Sequence, residues 1–245
     1  MILECIKKSL LTAVVVIIAT TSFAQITSGK IVFERKTNLK KLHKDNPRVK
    51  SFLKDDLTWK IDSFALYFND TASAFMPIES DVKEEGFMKF LTTQNTIFKN
   101  YPKDEKLVIM NMWGTETVVK DTIKPRAWKV TENNRKIAGY NCRKAMLELN
   151  DTTRLYAWYC VDVVPSIGPE GFDGLPGAIL GFANEEGSII YFAKQVIAMT
   201  PKSVDMNPKI KIKETYTEAE LKATLLEKMG QWVKKEDLEA MFSWL

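Results

Sequence analysis

IAGYNCRKAMLELNDTTRLYAWYCVDV, residues 137–163, is the stretch on which the fold turns. Two runs rich in apolar, aromatic and β-branched residues, 137–149 and 154–163, flank Asn150-Asp151-Thr152. Asn and Asp tolerate left-handed backbone angles and their side chains bond their own backbone, so the tripeptide reads as a hairpin turn. A three-residue loop sets Leu149 opposite Thr153. Counting back then places Met146 opposite Tyr156, Lys144 opposite Trp158 and Cys142 opposite Cys160. Directly opposed residues have Cα atoms about 4.5–5.5 Å apart, within the span of a disulfide. A Cys142–Cys160 disulfide is therefore expected, and two buried free thiols are the alternative. A four-residue loop would shift the register by one and put the two side chains on opposite faces.

The same pattern extends outward. Strand candidates lie at 30–35, 63–68, 72–76, 107–113, 115–120, 127–131, 178–183 and 188–197. Asn69-Asp70-Thr71 and Asn184-Glu185-Glu186-Gly187 read as further hairpin turns. After Pro208 the period becomes helical. Thr217 and Glu220 form a capping box, Leu221, Leu225 and Met229 repeat every fourth residue, and Gly230 is a stop. Leu238, Met241, Phe242 and Leu245 then make one apolar stripe, read as packing on the sheet, with partner docking as the alternative. The expected fold is mainly β (α+β): a single curved antiparallel sheet or partly open barrel with C-terminal helices packed on it. The expected divisions are a signal peptide at 1–24, a β-rich domain at 25–212, and a helical segment of the same domain at 213–245.

The chain begins like an export signal. Lys7 and Lys8 precede an uncharged run from Leu10 to Thr20, and Ser22-Phe23-Ala24 supplies small residues before Gln25. The apolar run is shorter than the roughly 20 residues a bilayer span needs. Cleavage after Ala24 is expected, with a short uncleaved anchor as the rival. Cys5 precedes the apolar run, so it is not the lipid-bearing cysteine of a lipoprotein. The expected location is the periplasm or outside the cell, with peripheral membrane association left open.

Of 245 residues, 45% are hydrophobic and 27% charged, which suits one well-buried domain. The net charge is +4, too small an excess for a nucleic-acid binder. One basic cluster, Lys40, Lys41, Lys44, Arg48, Lys50 and Lys54, reads as a solvated face, with an acidic-partner contact as the sharper reading. The single histidine, His43, sits among these cations as an exposed loop residue, and one histidine makes neither a metal site nor a catalytic triad. Met110-Asn111-Met112 is the closest methionine spacing, and it reads as strand core before copper site. Nucleophile-elbow, phosphate-loop and dinucleotide motifs do not occur, and no cofactor or metal is expected. The carboxylate pairs Asp55/Asp56 and Glu185/Glu186 sit in polar turns.

Ile137-Ala138-Gly139-Tyr140-Asn141-Cys142-Arg143-Lys144-Ala145, Ala157-Trp158-Tyr159, Gly168-Pro169 and Gly174-Leu175-Pro176-Gly177-Ala178-Ile179-Leu180 together resemble the GLPGLI family of exported bacterial proteins. The runs Gly29 to Arg35 and Ser63 to Phe68 resemble it too, and Ala178 departs from the leucine of the family's name. The resemblance implies export and a shared fold, and it supplies no catalytic residues. Leu175-Pro176-Gly177-Ala178 suits a type II turn. The surrounding loop is either a rigid corner or a binding loop, in which case Trp158, Tyr159, Leu175 and Pro176 are the ligand-binding residues. The functional expectation is an exported, non-enzymatic protein that binds an apolar ligand or an envelope protein. A hydrolase with an unrecognised carboxylate site and an envelope scaffold are the alternatives. Oligomeric state is open.

Overall fold

The structure is a computed structural model that describes residues 25–53, 58–79, 91–112, 114–150, 153–230 and 235–242. The expected leader, Lys54, Asp55/Asp56, Trp113, Asp151, Thr152 and Leu245 lie outside these residues.

Eleven strands form one antiparallel sheet: β1 (Gly29–Asn38), β2 (Trp59–Phe68), β3 (Ala72–Pro77), β4 (Thr96–Asn100), β5 (Glu105–Met112), β6 (Thr115–Asp121), β7 (Lys129–Ile137), β8 (Tyr140–Asn150), β9 (Thr153–Cys160), β10 (Ala178–Asn184) and β11 (Ile189–Ala198). Their order is β6-β5-β4-β3-β2-β1-β11-β10-β9-β8-β7. The fold is mainly β, and the sheet is curved and not closed. Topology demands the curvature. Flat, the two edge strands would lie about 48 Å apart at normal strand spacing. Residues 122–128 alone join β6 to β7, and a fully extended chain of that length reaches only about 28 Å. The sheet is therefore bent into a bowl whose edges the connection ties together.

Short-range turn chemistry sets the hairpins. Asn69 Oδ1 accepts from the Thr71 and Ala72 amides at 3.0 and 2.8 Å, closing the β2–β3 turn. Asn184 Oδ1 accepts from Ile189 N at 3.0 Å across the β10–β11 turn, where Gly187 has φ +64°. Between β8 and β9 the expected register holds, with Lys144 opposite Trp158 and Met146 opposite Tyr156. The loop differs: Asn150, not Leu149, pairs with Thr153, and a bulge between Glu148 and Asn150 absorbs the extra residue.

Two strands depart from the sequence reading. β4 is only five residues long and interrupts its pattern with a buried Lys99. β7 continues past 131 to Ile137, but most of it is exposed and only Ile137 is buried, so it carries no alternation to read. The run 137–149 is also not continuous. Ala138 and Gly139 both have positive φ, 48° and 90°, the two-residue turn that joins β7 to β8.

Two short helices, α1 (Leu39–Leu42) and α2 (Pro47–Phe52), follow β1. The basic cluster lies here, and Lys44 pairs with Glu186 at 2.6 Å. His43 is half-buried rather than an exposed loop residue, its Nε2 lying 2.9 Å from the Leu91 carbonyl. At the C-terminus α3 (Glu218–Met229) opens with the expected capping box, and α4 (Lys235–Phe242) follows. Leu221, Leu225, Leu238 and Phe242 join the main core, so both helices pack on the sheet. Met110 and Met112 are buried in that core as strand residues.

Candidate functional site

The loop between β9 and β10 fills the bowl. Ile167, Phe172 and Leu175 are buried, and the Phe172 ring lies 4.4 Å from that of Phe182 on β10. Arg126 from the edge-to-edge connection caps the other side of Phe172, its guanidinium 4.0 Å from the ring centre. Trp128 Nε1 donates to the Asp173 carbonyl at 2.7 Å. Within the loop a 3₁₀ turn, Pro169–Gly171, holds Glu170 at φ +52°, costly for a side-chain-bearing residue and here fixed by its partners. The predicted type II turn is not formed. Gly177 N donates to Leu175 O at 2.8 Å, an inverse γ-turn about Pro176, while Ala178 N donates to Val163 O at 2.8 Å. Glycine is required at 177, since φ is +133° and a Cβ would stand 2.1 Å from the Cys160 carbonyl.

Beneath the loop lies a buried polar network. Arg35 on β1 donates to Asp62 Oδ2 through Nε at 3.1 Å and Nη2 at 2.6 Å, and to the Thr93 carbonyl at 2.7 Å. Its Nη1 lies 3.7 Å from Glu170 Oε1, to which the Tyr191 hydroxyl also donates. The guanidinium covers the Phe64 ring at 4.7 Å. Burial alone would lower the Arg35 pKa, but Tyr191, Asp62 and Glu170 hold it above the ordinary value. Burial raises Glu170 and Tyr191. Lys99 on β4 reaches the loop as well, donating to Asp173 at 2.6 Å and to the Gly171 carbonyl. Beside it, burial and the nearby Lys99, Lys124 and Arg126 push Lys106 down to about 8. Asp62 and Glu170 are thus two acids that converge, but within the interior and already engaged by donors. The arrangement fixes the loop rather than opening a cleft for acid–base chemistry.

The four expected ligand residues do not meet. Leu175 and Tyr159 are buried, Pro176 is exposed, and Trp158 sits on the opposite face from Tyr159 beside Phe192 and Arg135, with the Trp158 and Phe192 ring centres 6.0 Å apart. Cys142 and Cys160 are both buried and present as free thiols. Arg143, next to Cys142, pairs with Tyr159, next to Cys160, so the two cysteines follow on directly as cross-strand neighbours. The neighbouring Cys160 and burial push the Cys142 thiol up, while Cys142 holds Cys160 down. Cys142 Sγ donates to the Tyr140 carbonyl at 3.6 Å, and Cys160 Sγ accepts from the Asp162 amide at 3.4 Å.

A recess of about 550 Å³ opens at the β7 end of the bowl, lined by Asn134, Arg135, Lys136, Asn141, Arg143, Tyr159 and Val161. Asn134 stands opposite Arg143, and Lys136 opposite Asn141. Asn134, Lys136, Asn141 and Arg143 gave no signal of a site in the sequence because they are isolated polar positions on their strands. Only their pairing across the turn at Ala138-Gly139 brings them together. Among the described residues there is no cluster of His, Cys, Asp and Glu that could hold a metal ion.

No family model matches the chain, and no curated protein matches it. Solved structures do. PNGF-II in a C2 crystal form superposes with a TM-score of 0.55 at 16% identity over 82% of this chain and 33% of its own. The P21 form gives 0.52 at 14% over 78% and 32%. An uncharacterized conserved protein from Thermus thermophilus superposes at 0.40 and 7% identity, over 78% of this chain and 91% of its own. The chain spans about a third of the PNGF-II length, and the likeness to it is one of fold.

Proposed function

We propose that this chain is an exported, non-enzymatic envelope protein, similar to the GLPGLI family, that engages a protein partner rather than carrying an apolar ligand. The observation that carries the reading is the filled bowl: Ile167, Phe172 and Leu175 occupy the space an apolar cargo would take. The leader-like start at Lys7 to Ala24 and the motif set around Gly174 to Leu180 support the export half of the reading. Native mass spectrometry of the protein purified from its own envelope tests it. A stoichiometric protein adduct is expected, and a stoichiometric lipid adduct in its place would overturn the proposal.

A further inference from the structure

We infer that the recess at the β7 end of the bowl is a binding site for a small oxyanion, a ligand carrying at least two carboxylate or phosphate charges. Cross-strand pairing of Asn134 with Arg143 and of Lys136 with Asn141 sets four side chains at the corners of one small square. Directly opposed corners are about 5 Å apart and the diagonals about 7–8 Å. The two cations occupy one diagonal and the two amides the other. Tyr159, opposite Arg143 on the neighbouring strand and only 2% exposed, forms a rigid floor.

Elsewhere on the surface, several strand cations meet a carboxylate, and Lys30, Arg135 and Lys144 lie over aromatic rings. Lys120 pairs with Glu105 at 2.7 Å, Lys129 with Glu148 at 2.7 Å, and Arg154 with Glu185 at 3.1 Å. Lys136 and Arg143 meet none among the described residues, and no acidic side chain lines the recess. A guanidinium binds an oxyanion through two parallel N–H bonds, an ammonium adds a point charge, and carboxamide N–H groups serve the remaining oxygens. Two positive groups at this spacing suit a ligand with two negative ones. The volume is that of a small-molecule site. The site stands apart from the proposed protein partner, and either can fail without the other.

Calorimetric titration of the folded protein with citrate and with pyrophosphate, in low-salt buffer, tests the inference. One-to-one binding of at least one of them is expected. Arg143→Gln and Lys136→Gln should each weaken it roughly tenfold or more, as loss of a charge-assisted bond requires. Lys211→Gln, at an exposed position outside the recess, should leave it unchanged. Both recess side chains are exposed, so melting temperatures of the variants should match the parent and separate lost binding from lost fold. Tighter citrate identifies a carboxylate ligand, and tighter pyrophosphate a phosphate ligand. Failure of both to bind at millimolar concentration, or binding that survives both substitutions, overturns the site.

Discussion

The Tyr191 hydroxyl donates to the Glu170 carboxylate in the floor of the bowl, and Arg35 lies 3.7 Å from the same oxygen. A residue of the loop is thereby locked to the two adjacent strands β1 and β11, which form the centre of the sheet. Arg35 also anchors Asp62 on β2, so one guanidinium holds two buried carboxylates in place.

Arg35→Ala should therefore leave Glu170 buried without its cation and Asp62 with only Lys60, 3.5 Å away. A broken buried ion pair costs about 3–5 kcal/mol. Glu170→Gln keeps the side chain's shape and an acceptor for Tyr191, and should cost no more than about 1–2 kcal/mol. Urea denaturation of the two variants checks the order. Equal losses would mean that the loop is held by its apolar residues alone.

Lys106 makes stability depend on pH in the alkaline range. In the folded protein its pKa is about 8, lowered by burial and by Lys99, Lys124 and Arg126, with Glu218 acting weakly in the opposite direction. An unfolded lysine keeps its proton to about 10.4. Between these values unfolding takes up a proton, so stability rises as the pH goes from about 8 to about 10. The rise is roughly 2–3 kcal/mol, at about 1.4 kcal/mol for each pH unit between the two values. Above that range the sign reverses: burial holds Tyr101 up to about 12, whereas an unfolded tyrosine ionises near 10, so stability falls. Chemical denaturation from pH 7 to 11 should trace the maximum, and Lys106→Met should shrink the ascending limb, leaving the part contributed by Lys99, which burial also lowers.

Cys142 and Cys160 should form a disulfide in protein taken from an oxidising compartment. Two thiols lose two protons and two electrons to a disulfide-bearing oxidant, and one S–S bond forms. The two thiols already interact across the β8–β9 ladder. The closed loop of about 19 residues would add roughly 3 kcal/mol by chain entropy. Intact mass should rise by two hydrogens on reduction. Two thiols that react in denaturant without reductant would exclude the bridge.

Phe242→Ala should show that the last helix belongs to the fold. Phe242 and Leu238 are each 1% exposed, and α4 is tied to α3 by Lys222, which meets Glu239 at 2.8 Å. Emptying a buried phenylalanine costs about 3–5 kcal/mol. An unchanged melting temperature would make this segment a partner-binding arm.

Cleavage should fall between Ala24 and Gln25, checked by N-terminal sequencing of the exported protein. An intact Met1 on a membrane-bound species would exclude it.

Much of the sheet was legible because each signal was local. Asn69 and Asn184 close their turns with their own side chains, and Thr217 and Glu220 cap a helix three residues apart. The register that opposes Lys144 to Trp158 followed from loop length alone, although a bulge rather than a three-residue loop delivers it. What stayed hidden depends on distant partners. Lys99 in β4 is tolerated only because Asp173, far along the chain, receives it. β7 is an edge strand exposed on most of its length, so burial imposed no alternation. The recess is made of Asn134, Lys136, Asn141 and Arg143, ordinary surface residues until a turn at positive φ folds one pair over the other. Tyr159 and Trp158 were grouped because they adjoin in sequence, and strand alternation sends adjacent residues to opposite faces.

Among the described residues, every pairing in the sheet joins strands adjacent in sequence except one, the seam between β1 and β11. The first strand described thus waits for the last. While the chain is being made, β1 to β6 can zip together as they emerge, but one side of β1 stays bare until Ile189 to Ala198 arrives. A bare central strand is a template for association with other chains. The molecule carries this hazard from the emergence of β1 until that of β11, and the β7–β11 half is its built-in remedy. Supplied as a separate piece, that half would be the natural cap for an unfinished copy.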